Sequence, residues 1–343
     1  MYDGKKILII RLSAIGDTIH TLPMAAALKK QYPNCKIGWV VESKAKMFVE
    51  HNPLVDRCFV IDKKRKNFFR IIKKIRKEKY DIALDPQQLF KSAVILGLCG
   101  AKKRITLSGG REFSWIFANK IVKAKNKLFD VNYHVVKRNL ELCEYLGCNV
   151  DEIDFPTPNI SDESAAVVEK LLPKNDLPIV ALAPATTWRN KHIQNEFWTE
   201  ITNFLENKTN VIFTGSIKDK KLINHIIENS NNKEVKNLAG ETDLLELKEL
   251  YSKCKLVITP DSGSAHIAWA AKNPAVISLF TATSAKRTGP FENEKKQKYF
   301  SIQSKAKCSP CMKKLCHNKT NKEICTKQFD IEEIKNYIKT VLK

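Results

Sequence analysis

Glycine is scarce in this chain, with 12 among 343 residues. The shortage matters most at the first strand–turn–helix, RLSAIGDTIHTLP, where Gly16 stands alone. A nicotinamide-binding turn needs three glycines spaced G-x-G-x-x-G, so a dinucleotide dehydrogenase is disfavoured. Long apolar runs are missing as well. No segment approaches the roughly 18 consecutive apolar residues of a spanning helix. The apolar run of MYDGKKILII, ended by Arg11, is too short for a signal-peptide core and reads as a buried first strand. A cytoplasmic location is therefore expected. No helix-turn-helix, RNP aromatic pattern or zinc-finger spacing is apparent. Acidic residues are also in short supply: 37 Asp and Glu face 59 Lys and Arg, a formal charge of +22. The excess is uneven. Residues 1–127 carry 28 basic and 10 acidic side chains (+18), and residues 128–343 carry 31 and 27 (+4). A balance this basic admits nucleic acid, a membrane surface or a phosphorylated substrate as partner.

What is present reads as a two-domain α/β protein. The length suits two domains, and 43% hydrophobic with 28% charged residues excludes a disordered chain. Short apolar runs at 6–11, 36–41, 57–61 and 81–85 alternate with helical patterns at about 19–32, 66–79 and 91–98, with a longer one near 130–147. That alternation predicts parallel βαβ units. Residues 150–178 are acidic and hold Pro156, Pro158, Pro173 and Pro178, the best linker composition. The alternation resumes with strands at 178–186, 210–216, 255–260 and 274–280, and an amphipathic helix covers 330–342. Two doubly wound domains facing a cleft are expected, with ligands at the carboxyl ends of the strands.

Three of those strand ends carry chemistry. After the first strand, Asp17 follows Gly16. A carboxylate there suits a general base if a substrate hydroxyl comes within reach; a helix cap is the plainer reading. In ALAPATTWRNKHIQNEFW, a strand runs into Thr186, Thr187, Arg189, Lys191 and His192. Hydroxyls and a compact cation at that place suit a phosphate; a solvated basic loop is the plainer reading. In ITPDSGSAHIAWAA, a strand runs into Asp261, Ser262, Gly263 and Ser264 and then a helix, whose free N–H groups favour an anion. Ordinary capping explains the serines equally, and His266, one turn in, reads as supporting.

Two further segments stand out. Cys308, Cys311, Cys316 and Cys325 lie within 18 residues, and four thiols can close a tetrahedral, structural zinc site. Reduced structural thiols are the alternative, since a cytoplasmic protein carries few disulfides. The run 63–79, KKRKNFFRIIKKIRKEK, holds ten cations, one acid and an apolar face. Such a helix suits a membrane surface, although its stripe also suits packing on its own sheet.

Together these motifs resemble the ADP-heptose:lipopolysaccharide heptosyltransferases, glycosyltransferase family 9, over nearly the whole chain. ILIIRLSAIGDTIHTLP is similar to the family's N-terminal signature, WVVE fits its second strand, and YDIALDPQQLFKSA resembles the acceptor-side segment of enzymes that add the first heptose. Gln88 stands where those enzymes usually have Gly. ATTWRNKH and ITPDSGSAHIAWAA resemble the phosphate loop and the most specific family motif. TSAKRTGPF and the cysteine-rich tail look more like second- or third-heptose members. The resemblance implies a GT-B fold of two Rossmann-like domains: residues 1–155 for the acceptor, a linker at 156–177, and 178–329 for the nucleotide sugar. The cysteine segment 308–325 falls in the second domain, and the helix 330–343 would pack back on the first. It implies an inverting transfer from ADP-heptose to the lipopolysaccharide inner core, with the first heptose on Kdo-lipid A preferred to a later one. Asp17 would be the base, and Lys191 would stabilise the leaving diphosphate. Thr186, Thr187, Asp219, Asp261, Ser262, Gly263, Ser264 and His266 would hold the donor. Arg11, Gly16, Gln87 and Lys91 would meet the acceptor. No cofactor is required, and the spacing of the four tail cysteines leaves open a structural zinc. The expected place is the cytoplasmic face of the inner membrane, peripherally bound, with no nucleic-acid partner. A GT-B enzyme for another nucleotide sugar, or a basic nucleic-acid-binding protein, are the rival readings.

Overall fold

The apolar runs become parallel strands. A computed structural model describes residues 2–62, 64, 66–151, 154–291 and 298–343. The chain divides into two units, Met1–Asn159 and Ile160–Lys343. The first holds β1 (Lys6–Ile10), β2 (Lys36–Glu42), β3 (Arg57–Ile61), β4 (Ile82–Asp85), β5 (Lys103–Leu107) and β6 (Lys120–Val122). The second holds β7 (Ile179–Leu182), β8 (Asn210–Phe213), β9 (Lys236–Asn237), β10 (Leu256–Pro260), β11 (Ala275–Phe280) and β12 (Tyr299–Gln303). Every strand pair is parallel, in the orders β3-β2-β1-β4-β5-β6 and β12-β11-β10-β7-β8-β9. Both units thus use one doubly wound order, in which a sheet's first strand lies beside its fourth. The strand order reverses between β1 and β4, and again between β7 and β10. Crevices at such reversals are where open α/β sheets bind ligands.

The central strands are hydrophobic on both faces because helices cover both. Ile7, Leu8, Ile9 and Ile10 of β1 have no exposed surface, nor have Leu256, Val257 and Ile258 of β10. Helix boundaries follow local chemistry. The helical run expected over 19–32 is two helices, Ile15–Ile19 and Leu22–Gln31. Pro23 lacks the N–H that would bond the Ile19 carbonyl, and it suits the first turn of a new helix instead. The helix expected near 130–147 spans Val135–Tyr145, because the His134 ring nitrogen Nδ1 accepts the Val136 N–H and starts it there.

Two boundary expectations need correcting. The segment 156–177 is not a plain linker. Ser161 caps a helix, Asp162–Leu171, that packs on the helix Leu244–Ser252 of the second unit, and Glu169 pairs with Lys253 at 3.2 Å. The closing helix, Ile331–Leu342, expected against the first unit, is built into the second. Its Ile334 and Ile338, four residues apart on one face, are wholly buried in the core of the second unit with Trp198, Ile201 and Phe213. Lys335 meets Glu200 at 2.8 Å on the neighbouring helix, Asn195–Phe204. In the basic run, Ile71, Ile72 and Ile75 of the helix Phe68–Glu78 are buried against the first sheet, so the stripe serves the core. Lys63 and Arg65 lie outside the described residues.

Candidate functional site

In the first unit the reversal joins the loops after β1 and β4. Asp17 is the third residue of Ile15–Ile19, and its Oδ2 accepts the Ala14 N–H at 3.1 Å, one half of a capping box. Its Oδ1 lies 2.9 Å from Nη2 of Arg11; the Asp17 side chain is 44% exposed while that of Arg11 is 7%. Arg11 Nη1 donates to the Pro86 carbonyl at 3.2 Å, tying the two loops together. β4 ends in Asp85, which has no exposed surface. Its Oδ1 accepts the N–H groups of Gln87 and Gln88 at 3.0 and 3.1 Å, and its Oδ2 accepts the Ser92 hydroxyl at 2.9 Å. Burial pushes its carboxyl up to about 6, against those hydrogen bonds and the nearby Arg11 charge, which pull it down. Gln87 Oε1 accepts the Leu12 N–H at 2.7 Å. Lys91 Nζ donates to Ser13 Oγ at 2.7 Å and to Glu42 Oε1 at 2.8 Å. Arg11, Asp17, Gln87 and Lys91 are therefore brought to one place. Gln87 Nε2 and Arg11 Nε are buried there as donors without a protein acceptor among the described residues.

In the second unit the reversal joins the loops after β7 and β10. Asp261 is nearly fully buried, and its backbone N–H donates to the Leu279 carbonyl of β11 at 3.0 Å. Lys191 Nζ lies 2.6 Å from Asp261 Oδ2 and donates to the Asp261 carbonyl at 3.1 Å. Thr283 donates to the same Oδ2, and His266 Nε2 lies 3.7 Å from Oδ1. The Trp188 ring lies under the Lys191 ammonium, 4.8 Å from its centroid. Ser262 caps the helix Gly263–Ala270 by accepting the Ser264 N–H at 3.2 Å. The Tyr251 hydroxyl spans the Thr214 hydroxyl (2.7 Å) and Ser264. Thr186 donates to the Trp188 carbonyl at 2.8 Å, and His192 Nε2 meets the Thr186 carbonyl at 2.8 Å. A cation held by a buried carboxylate at the start of a helix is suited to receive an anionic ligand, whose oxygens compete with Asp261 for Lys191.

A family model described as glycosyltransferase family 9 (heptosyltransferase) matches residues 68–322, most of the chain. The chain belongs to glycosyltransferase family 9. It is 27% identical over 299 residues to the lipopolysaccharide core heptosyltransferase OpsX of Haemophilus influenzae, covering 84% of this chain and 82% of that one. A family 9 glycosyltransferase of Veillonella parvula superposes with a TM-score of 0.79 at 20% identity, covering 99% of this chain and 97% of that one. The Escherichia coli ADP-heptose lipopolysaccharide heptosyltransferase II superposes with a TM-score of 0.78 at 20% identity, covering 98% of each chain. At that identity the solved structures speak for the fold, which is GT-B. This family 9 member is a glycosyltransferase.

Its remaining expected residues divide. Gly16 is buried in the short helix beside Asp17. Thr187 is exposed on the loop after β7. Asp219 lies at the end of β8's loop, where its Oδ2 accepts both the N–H (2.8 Å) and the hydroxyl (2.6 Å) of Ser216. For the four-thiol zinc site, no group of three or more His, Cys, Asp or Glu side chains among the described residues is placed to hold a metal ion. Cys325 is buried and its thiol is pushed up to about 11, first by burial and then by the neighbouring Cys308, Cys311 and Cys316. Cys316 Sγ accepts the Glu323 N–H at 3.2 Å. The tail also braces the loop after β7. Glu323 pairs with Arg189 at 3.1 Å, and Asn190 Nδ2 donates to the Lys313 carbonyl. The sequence reading missed Asp85, Glu42 and Thr283. For two of them a signal existed. Asp85 ends an apolar strand just before Pro86, an Asx-turn pattern, and Thr283 follows an apolar strand as Thr186 does.

Proposed function

We propose that this glycosyltransferase moves a heptose from ADP-heptose to the inner core of lipopolysaccharide, by direct displacement with inversion. The observation that carries the reading is Lys191 held on Asp261 at the reversal between β7 and β10, beside the start of Gly263–Ala270. The donor's diphosphate would take up Lys191 and the amides after Asp261 as charge develops on the leaving group. Donors preorganised in this way are each worth roughly 2.7–4 kcal/mol. Thr186, Thr187, Ser262, Ser264 and His266 shape that subsite, and Asp219 serves the ribose end. Asp17 takes the proton of the attacking hydroxyl. Arg11 orients it, while Gln87 and Lys91 face the acceptor sugar, with Gln87 Nε2 available to an acceptor oxygen. The acceptor is the first inner-core position, on a lipid-anchored sugar met at the cytoplasmic face of the inner membrane. Among the described residues no helix is long and apolar enough to cross a membrane, so binding there would be peripheral. Thermal shift with ADP against UDP tests the donor. ADP should raise the midpoint strongly and UDP should not, because only a ligand that binds the native state stabilises it. A larger shift with UDP would replace the proposal with a transferase for another nucleotide sugar.

A further inference from the structure

The first unit shows an apolar surface that neither the core nor the candidate site uses. Fourteen large hydrophobic side chains are exposed among the described residues, and eight of them fall between positions 90 and 129. The reason is topological. Parallel β5 and β6 are usually joined by a helix whose apolar face covers the sheet. Here residues 108–119 make that crossover as a chain of turns. Ser114 N–H donates to Arg111, Ile116 N–H to Phe113, and Ala118 N–H to Trp115. Ser114 is the buried anchor, and Phe117 lies against the helix Phe90–Leu98 at Gly97, where an added Cβ would meet its ring at 2.8 Å. The other large side chains are exposed: Phe113 is 69% exposed and Ile116 64%, with Trp115 beside Phe113 at 5.6 Å between ring centres. Glu112 and Phe113 both hold φ near +55°, a conformation that bulky residues avoid. That strain is kept where it turns Phe113 toward solvent.

Charge says what covers this surface. Residues 101–129 contain eight cations and one acid, Glu112. Lys120, Lys123 and Lys127 are exposed, and Arg111 stacks on Phe129 at 5.4 Å. Rings of Phe and Trp ringed by cations suit the headgroup layer of an anionic bilayer. The patch also adjoins the acceptor loops: Glu112 accepts the Phe90 N–H at 3.1 Å, and Gln88's carbonyl accepts the Arg111 N–H at 3.2 Å. The helix Phe68–Glu78, by contrast, has spent its isoleucines on the core and leaves Phe69 as its exposed large apolar side chain.

We propose that the crossover 108–119, with Phe129 and the flanking lysines, is the element that seats this protein on an anionic phospholipid surface. The inference rests on the reading of a lipid-linked acceptor and gives that reading its geometry. The test uses the full chain with vesicles of phosphatidylglycerol and phosphatidylethanolamine, and with phosphatidylcholine alone. Wild type should sediment with the anionic vesicles. Phe113→Ser with Ile116→Ser, both exposed, should reduce that partition at least tenfold, while Lys66→Gln with Lys73→Gln and Lys74→Gln changes it less. Brominated lipid should quench wild-type fluorescence and lose most of that quenching in Trp115→Phe. The double serine variant should keep the wild-type ADP shift and the wild-type rate on a deacylated, water-soluble acceptor. Unchanged partition in the double variant, or quenching that survives Trp115→Phe, would overturn the proposal. So would a wild-type dimer that the double variant dissolves, because the patch would then cover a second copy. Vesicle binding that behaves as expected, beside a wild type inert on any lipopolysaccharide acceptor, would retire the functional reading and leave the membrane surface standing.

Discussion

Replacing Asp85 by asparagine should make this protein more stable near neutral pH, although it removes a carboxylate that makes three hydrogen bonds. Burial raises the Asp85 carboxyl from an ordinary 3.8 to about 6. The folded state therefore binds a proton more tightly than the unfolded state does. Stability contributed by the protonated group is fully present below about pH 4 and is lost as pH rises through 6. The shift of about two units corresponds to about 3 kcal/mol. Asparagine fits the same contacts. Its Oδ1 takes the Gln87 and Gln88 N–H groups. Its Nδ2 donates to Ser92 Oγ, which can turn its own proton to the Leu89 carbonyl 2.8 Å away. Arg11 keeps Asp17 and the Pro86 carbonyl. The assay is urea unfolding of both proteins from about pH 4.5 to 8. The variant's advantage should grow by about 1.4 kcal/mol per pH unit up to pH 6 and then level off. A difference that does not vary with pH, or a variant that is weaker at pH 7.5, would refute the argument from burial.

Three other substitutions separate the roles. Asp17→Asn should lower kcat by about 10²–10⁴-fold and leave the ADP thermal shift intact; near-wild-type turnover would remove Asp17 as the base. Lys191→Met should cost about 3–5 kcal/mol of stability, because Asp261 stays buried without its partner, and should abolish the ADP shift; Lys191→Met with Asp261→Asn should recover the stability and not the binding, read by thermal melts with and without ADP. Gln88→Ala should destabilise by about 1–3 kcal/mol in urea unfolding, since it strips an acceptor from buried Arg138 and a donor from the Leu107 carbonyl while keeping the left-handed backbone at φ +56°.

The strands that build the two reversals were legible because each is an apolar run with a polar residue at its carboxyl end. β1, β4 and β10 have that form, and β7 reaches Thr186 through the apolar Ala183-Pro184-Ala185. The edges were not. β9 is a two-residue strand, Lys236–Asn237, and β6 is Lys120–Val122 with Ile121 exposed. Neither has a buried face to impose a pattern. β5 and β12 open or alternate with polar residues, and without them no strand order can be read. Asp17, Lys191 and Asp261 stood out because short motifs hold them. What each touches lies far along the chain: Lys191 and Asp261 are 70 residues apart, and Arg11 reaches Pro86 over 75. The closing helix was misassigned for the same reason. Its amphipathic stripe announces that it packs, and the groove that receives it is made by the helix Asn195–Phe204.

The bracing of the loop after β7 by Lys313 and Glu323 sets an order in time. Chains leave the ribosome from the N-terminus at about 5–20 residues per second. All strands of the first sheet are complete once Val122 has emerged, so the loops after β1 and β4 and the aromatic crossover can be in place early. The second sheet waits for β12, and its core waits for Ile334 and Ile338. Lys191 is made early in the second half, yet its loop gains its supports only when residues 313–323 arrive. The nascent chain therefore completes its exposed aromatic crossover well before the loop that carries Lys191 has its supports.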